Sequence, residues 1–192
     1  ESGKPVSLEW IAAACIPLDP RLTRITSFSG KWAGEFQTQQ HDLVRGGFLR
    51  ENRAGRSSHD CFPGLYLGTP LTNDSHGPAC GVHLGWSGNH RMRVDQLADE
   101  TISLQAGELL LPGEIVLAPQ ESYTTPSLHI CWSKEGYGDV TRRLHRFVRE
   151  RVCTAQLGRP VHYNTWEAVY FDHSPEKLMA LADQAAAVGA EG

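Results

Sequence analysis

The spacing of apolar and polar residues changes once along the chain, near residue 136. Up to that point, short β-prone runs alternate with turn residues, which is the pattern of antiparallel strands joined by tight connections. The runs lie at 6–11, 22–28, 34–40, 65–67, 81–86, 91–94, 101–104, 114–117 and 127–132. Because no helical spacing separates them, the sequence predicts a mainly β domain over residues 1–136, folded as an antiparallel sandwich.

Beyond residue 136 the apolar spacing becomes that of one face of a helix. The apolar positions of this face are Val140, Leu144, Phe147, Val148 and Val152. Asp139 is a candidate N-cap, and Gly158 and Pro160 end the pattern. We therefore predict a linker helix over residues 137–158.

Residues 159–192 predict one strand, one loop and one helix. A β-prone run at 161–165 leads into the loop 166–173, and Ser174 with Pro175 suits an N-cap followed by the first helical position. In a (β/α)8, or TIM, barrel such a loop lies on the substrate face. One unit cannot close a barrel, so we expect the first β/α unit of a truncated barrel. We expect its unpaired strand to pack on the sandwich, pair with another copy or be poorly ordered.

Trp166 lies where the predicted barrel strand meets its loop. An indole at this place can stack on the apolar face of a sugar, or it can fill the top of the barrel, and the pattern leaves both interpretations open. Glu167 and Asp172 lie in the same loop and have the chemistry of a glycosidase carboxylate pair. Their spacing favours plainer roles, namely orienting the loop, capping the helix or pairing with an arginine.

Two other segments have suggestive residue types without the arrangement that catalysis needs. Ser58, His59 and Asp60 are adjacent in sequence, whereas a Ser-His-Asp triad is assembled from distant segments. We expect instead a loop held by Arg and His hydrogen bonds. Residues 85–90 predict a tight hairpin turn flanked by aromatic residues. They do not predict a phosphate-binding loop, because no strand–glycine-rich loop–helix context surrounds them.

Composition and charge argue against several classes of function. The formal net charge is −4, which argues against nucleic acid or an anionic membrane as partner, and no apolar run is long enough to span a bilayer. The nine histidines lack metal-ligand spacing, and the five cysteines are odd in number and widely separated. We therefore expect no metal, no cofactor and no disulfide framework. Free thiols fit a reducing cytoplasm.

A nine-residue signature follows the predicted barrel strand. Residues 164–172 read Asn-Thr-Trp-Glu-Ala-Val-Tyr-Phe-Asp, and residues 178–186 form the helix pattern behind them. Further landmarks occur in the sandwich part, at 30–35, 55–59, 86–89, 105–107 and 119–126. Together and in this order, these segments resemble the bacterial α-galactosidases of glycoside hydrolase family 36, whose barrel signature is Asn-x-Trp-Glu-Ala-x-x-Phe-Asp.

The resemblance implies a large N-terminal β-supersandwich, a catalytic barrel and a small C-terminal β domain. It also implies retaining hydrolysis of small terminal α-galactosides such as melibiose and raffinose, by two aspartates that come after Gly192. Trp166 matches the substrate-binding tryptophan of the barrel signature, and Trp32 matches a tryptophan of the sandwich near the active-site mouth. We expect the chain to be an inactive part of a cytoplasmic, homo-oligomeric α-galactosidase.

The chain departs from the family pattern at two places. Phe62 stands where a Gly-x-x-Ser-His-x-x-Asn-Pro motif has asparagine, and Gly34-Glu35-Phe36 stands where Arg-Glu-Arg is usual. Two alternatives stay open beside the α-galactosidase. One is a non-catalytic carbohydrate-binding β-sandwich, and the other is a related enzyme such as an α-N-acetylgalactosaminidase or a raffinose-type transglycosylase.

Overall fold

The computed structural model describes residues 3–153 and 158–192. The chain divides into two compact units, Glu1–Val148 and Arg149–Gly192. The strands of the first unit are β1 (Val6–Leu8), β2 (Trp10–Leu18), β3 (Arg24–Lys31), β4 (Gly34–Asp42), β5 (Phe48–Asn52), β6 (Gly64–Gly68), β7 (Ala79–Leu84), β8 (His90–Gln96), β9 (Ile102–Leu109), β10 (Ile115–Leu117) and β11 (Leu128–Ser133). The helices are α1 (Gly136–Phe147), extended by a π-helical turn (Val148–Val152), then α2 (Trp166–Val169) and α3 (Pro175–Ala187).

The first unit is an antiparallel β-sandwich, as the sequence predicted. One sheet has the strand order β11-β7-β6-β3-β4 and the other β2-β9-β8-β5, while β1 and β10 form a separate pair. Side chains of both large sheets meet in one core, because alternate residues of each strand point to the same face. Fully buried members of this core are Ile25, Leu67, Val94, Ile102 and Leu104.

The sequence prediction shortened one edge strand of the four-stranded sheet, β2, and missed the other, β5. The predicted run at 6–11 is split, and the body of β2 continues to Leu18 through small residues and Pro17. Proline has no N–H to donate and is tolerated because β2 pairs only with β9. At the opposite edge, β5 reads Phe-Leu-Arg-Glu-Asn and lacks the clean alternation that marks a strand.

The prediction of a hairpin at residues 85–90 was wrong. β7 pairs with β6 and β11, whereas β8 pairs with β5 and β9 in the other sheet. Residues 85–89 therefore cross between the two layers of the sandwich. A turn-rich segment has the same composition whether it joins neighbouring strands or opposite sheets, so composition alone does not separate the two cases.

Helix α1 covers part of the outer face of the five-stranded sheet. Tyr137 and Val140 are buried against Ala79, with Tyr66 at the edge of the contact. Gly81 allows the close approach, since a Cβ there would lie 2.4 Å from a Val140 methyl carbon.

The start and end of the linker helix also differ from prediction. Glu135 is the N-cap residue, and Asp139 lies inside the first turn, where it accepts hydrogen bonds from Ser133 Oγ and Arg143 Nε at 2.8 Å each. Val148 and Val152, predicted on the packed face, are exposed. Residues 154–157 of the predicted 137–158 helix lie outside the described residues, and the proposed domain boundaries stay a prediction.

In the second unit no strand forms at 161–165, contrary to the prediction. The segment instead makes two backbone hydrogen bonds with the last residues of the chain: Glu191 N–H donates to Val161 C=O (2.8 Å), and Tyr163 N–H donates to Gly192 C=O (2.7 Å). This pairing was not among the three expected outcomes, which were packing on the sandwich, pairing with another copy and poor order. Helix α3 begins as predicted, with Ser174 Oγ accepting the Lys177 N–H at 3.2 Å.

Candidate functional site

Trp166 opens the short helix α2 in the second unit. The Asn164 side-chain oxygen accepts the Trp166 backbone N–H at 2.8 Å, which holds the start of the turn. Tyr170, at φ +46°, ends the helix, and its ring lies edge-on to the indole, 5.5 Å away. Phe171 makes a second edge-on contact at 5.0 Å. Held by these two rings, Trp166 remains 45% exposed, so part of the indole is accessible to a ligand.

The two loop carboxylates each have a local partner. Tyr170 OH donates to Glu167 Oε2 at 3.1 Å, and Lys177 Nζ forms an ion pair with Asp172 Oδ2. The hydrogen bond from Lys177 lowers the pKa of Asp172 below its usual value. Glu167 and Asp172 therefore orient the loop and the start of α3, which is the plainer of the two roles that the sequence allowed.

Trp32 lies at the tip of the hairpin between β3 and β4 in the first unit. The turn is tight: Ala33 has φ +60°, and a Cβ on Gly30 would lie 2.4 Å from the Gly34 carbonyl oxygen. Glu35 accepts the Ala33 N–H at 2.9 Å, and backbone N–H groups lower the pKa of this carboxyl. The result is a rigid tip that leaves Trp32 85% exposed. Trp32 and Trp166 belong to different units, so the surroundings of each tryptophan are described separately.

Beside the Trp32 hairpin lies an open cleft of about 330 Å³. Its lining residues come from the start of β4 and from the 56–62 loop: Glu35, Phe36, Arg56, Ser57, Ser58, His59 and Phe62. We call this the hairpin cleft. Its floor is aromatic, since Phe36 stacks on Phe28 at 4.8 Å and meets Phe62 edge-on at 4.9 Å. Phe36 and Phe62 are both departures from the motifs described above, but nothing in the sequence indicates that their side chains touch.

The loop that lines the hairpin cleft is held by side chains of β5. Arg50 Nη1 donates to Ser27 Oγ at 3.0 Å, and its Nη2 donates to the Asp60 carbonyl. Asn52 Nδ2 donates to the carbonyls of Arg56 (2.7 Å) and Gly88 (3.1 Å). The expectation of a loop held by Arg and His hydrogen bonds is met only for arginine: the arginine is Arg50, outside the predicted segment, and His59 makes no hydrogen bond within the described part of the chain.

The adjacent Ser58, His59 and Asp60 do not form a catalytic relay. Ser58 Oγ donates directly to Asp60 Oδ1, so the histidine does not lie between them. This hydrogen bond lowers the pKa of Asp60. The arrangement stabilises the loop, as expected for residues that are neighbours in sequence.

His83 and His90, two further histidines of the first unit, have structural roles. Burial lowers the pKa of both His83 and His90. His90 Nδ1 lies 3.1 Å from the Gly88 carbonyl and its Nε2 lies 3.6 Å from Cys61 Sγ. Within residues 3–153 and 158–192, no three His, Cys, Asp or Glu side chains are grouped to hold a metal ion. None of the helices in this same part of the chain has the length and apolar character to cross a membrane.

Comparison with known proteins gives consistent similarities over the whole chain. The model "Glycosyl hydrolase family 36 N-terminal domain" matches residues 1–118, and the model "Melibiase" matches residues 122–192. An α-galactosidase of Escherichia coli is 42% identical over 181 residues, covering 93% of this chain and 26% of that protein.

Solved structures agree with the sequence matches. The crystal structure of an α-galactosidase from Lactobacillus brevis has a TM-score of 0.90 and 29% identity, covering 99% of this chain and 26% of that one. A variant of the α-galactosidase AgaA from Geobacillus stearothermophilus, in complex with raffinose, has a TM-score of 0.90 and 26% identity, covering 98% and 27% of the two chains. The chain thus spans about a quarter of the length of these relatives.

Proposed function

Because the chain belongs to glycosyl hydrolase family 36, we propose that it is part of a retaining α-galactosidase that hydrolyses terminal α-galactosides of the melibiose and raffinose type. The observation that carries this proposal is the match of 42% identity to an α-galactosidase over 93% of the chain. The match includes both units, so it supports a shared architecture and not one isolated motif. The sandwich alone would not account for similarity that extends through the Trp166 loop.

Trp166 is the residue of this chain that we assign to substrate binding. Its indole is half exposed, it is braced by two aromatic rings, and Asn164 holds its backbone. An accessible indole suits stacking on the apolar face of a galactose ring. Trp32, at the tip of its rigid hairpin, is the second substrate-binding candidate.

We infer that the catalytic carboxylates of the complete protein lie outside this chain. Retaining hydrolysis needs two carboxyl groups about 5–5.5 Å apart, one acting as nucleophile and one as acid and base. Glu167 and Asp172, the carboxylates next to Trp166, are engaged with Tyr170 and Lys177. The 192-residue chain should therefore bind sugar without hydrolysing it.

The experiment compares the 192-residue chain with the complete protein on p-nitrophenyl α-galactoside. Turnover is expected only from the complete protein, and turnover by the short chain would contradict the placement of the carboxylates. In the complete protein, Trp166→Ala should lower kcat/KM roughly 10- to 100-fold, since a buried aromatic contact is worth about 1.5–3 kcal/mol. Met179→Ala, an exposed change on α3, is the matched control and should stay within about twofold.

We also propose a cytoplasmic, homo-oligomeric complete protein. The five cysteines are free thiols, two of them buried, which suits a reducing compartment. Cell fractionation tests the location, and light scattering of the complete protein tests the oligomeric state. A periplasmic or secreted protein, or a monomer at working concentration, would overturn the corresponding statement.

A further inference from the structure

A second cleft lies in the first unit, where the turn after β2 meets the junction of β11 with α1. It is open and has a volume of about 510 Å³, within the range of small-molecule sites. Its lining residues are Asp19, Arg21, Leu22, Pro78, Trp132, Ser133, Lys134, Glu135 and Arg143. We call it the Trp132 cleft. It shares no residue with the hairpin cleft and uses neither Trp32 nor Trp166.

An exposed indole dominates one wall of the Trp132 cleft. Trp132 lies on β11, the edge strand of the five-stranded sheet, directly opposite Cys80 of β7. The side chain is 44% exposed, and no aromatic ring among the described residues stacks on it. Its indole N–H also has no hydrogen-bond partner within residues 3–153 and 158–192. An exposed, flat apolar surface with an unused donor is what an aromatic sugar platform requires.

The polar walls of the cleft are held in place before any ligand arrives. Arg21 donates to Asp19 through Nε (3.0 Å) and Nη2 (2.6 Å), and its backbone N–H donates to the same carboxylate at 2.9 Å. These bonds lower the pKa of Asp19, which keeps the carboxylate ionised. Arg143, which also lines the cleft, donates to Asp139 at 2.8 Å. The polar groups of the cleft are thus already oriented by ion pairs within the chain.

Most charges around the cleft are paired, which bears on the class of ligand. Three cations (Arg21, Lys134 and Arg143) and two carboxylates (Asp19 and Glu135) line it. A third carboxylate, Asp139, lies outside the lining and is paired with Arg143. A phosphate or nucleotide site would have an excess of positive charge. The paired charges, including the fixed carboxylate–guanidinium pair, and the flat indole together favour a neutral ligand with many hydroxyl groups.

We propose that the Trp132 cleft binds a neutral hexopyranoside, with the apolar face of one sugar ring on Trp132. The Asp19 carboxylate accepts hydrogen bonds from ring hydroxyls, and the Arg21 guanidinium donates to neighbouring oxygens. Among hexopyranosides we expect an α-galactoside to bind best, and this choice rests on the proposed function. The binding of a hexopyranoside as such does not depend on the proposed function.

The test is a titration of the 192-residue chain followed by ¹H–¹⁵N NMR. The chain has five tryptophans and therefore five indole N–H signals. The signal that disappears in Trp132→Phe identifies Trp132, and this variant keeps an aromatic ring in case Trp132→Ala fails to fold. Raffinose should shift the Trp132 signal saturably, and cellobiose should shift it less. Trp132→Ala should weaken binding at least roughly tenfold.

Trp32→Ala is the matched control, because it removes another exposed indole of the same unit. It should leave the shift of the Trp132 signal unchanged. If the Trp132 signal does not move with either sugar, or if Trp32→Ala abolishes the shift, the proposal is overturned. A shift with cellobiose alone would keep the hexopyranoside site and refute its assignment to α-galactosides. The activity of the complete protein tests the proposed function separately, so the two can fail independently.

Discussion

Arg50 links the two layers of the sandwich, and its replacement by methionine measures what that link contributes. Its Nη1 donates to Ser27 of β3 at 3.0 Å, and its Nη2 donates to the Asp60 carbonyl in the loop of the hairpin cleft. Methionine keeps much of the apolar stem and removes both hydrogen bonds. Ser27 retains His41 as a partner at 3.3 Å, so its hydroxyl group is not left without a hydrogen bond.

The expected magnitude follows from how far each bond is shielded from water. A hydrogen bond from an ionised donor contributes about 1.5–3 kcal/mol. The bond to Ser27 is part-buried and the bond to Asp60 is exposed, so we assign about 2 kcal/mol to the first and about 1 kcal/mol to the second. Arg50→Met should lower the free energy of unfolding by about 3 kcal/mol. This loss is a large share of the free energy of unfolding of a typical domain, which is about 5–15 kcal/mol.

Urea unfolding followed by circular dichroism measures the change, with Arg53→Met as the control. Arg53 is 58% exposed and pairs with Glu51 at 2.8 Å, so its loss should cost under about 1 kcal/mol. Arg50→Met should lower the midpoint at an unchanged slope and speed amide exchange in the 54–62 loop. Equal losses in the two variants, or unchanged exchange in the loop, would refute the role of Arg50 as a link between the layers.

Two further predictions concern acidity and close packing. Burial, and then the neighbouring His129, lowers the pKa of His83. As pH falls below about 6.5, His83 becomes protonated in the unfolded chain before it does so in the folded chain. The free energy of unfolding should therefore decrease until the pH passes below the folded-state pKa of His83. His83→Gln should flatten this decrease in urea titrations across that range, and an unchanged slope would contradict it. A Cβ on Gly107 would lie 2.1 Å from the Ile11 carbonyl oxygen, so Gly107→Ala should lower the free energy of unfolding by about 3 kcal/mol. A Cβ on Gly158 would have no neighbour within 4 Å, so Gly158→Ala should change the free energy of unfolding little. Equal melting temperatures of the two variants would contradict the close contact at Gly107.

Most strands of the sandwich were predictable because their signal is local. Apolar alternation bounded by turn residues places β3, β6 and β9 without knowledge of their partners. The edge strands β2 and β5 were missed or shortened because a strand that packs on one side tolerates proline, small residues and charges. The crossing at 85–89 was mistaken for a hairpin, since the choice between neighbouring strands and opposite sheets depends on contacts far away in sequence.

The candidate sites divide in the same way. The signature at 164–172 identifies Trp166, and the structure adds the two aromatic rings that brace it. The hairpin cleft was not predictable, because Phe36 and Phe62 lie far apart in sequence and meet only when β4 and the 56–62 loop come together. The Trp132 cleft gave no signal at all, since its walls come from the turn after β2 and from α1.

The sequence by itself determined the mainly β character of the first unit, most of its strands, the helices that begin near residues 137 and 175, and the family, because periodicity, capping residues and short signatures are carried by neighbouring residues. Only the tertiary structure decided which strands share a sheet, which side chains line each cleft, and which charges are paired. Those properties depend on contacts between distant segments, such as Arg50 with Ser27 or Phe36 with Phe62. The same contacts decide whether an exposed indole is part of a site or of the surface.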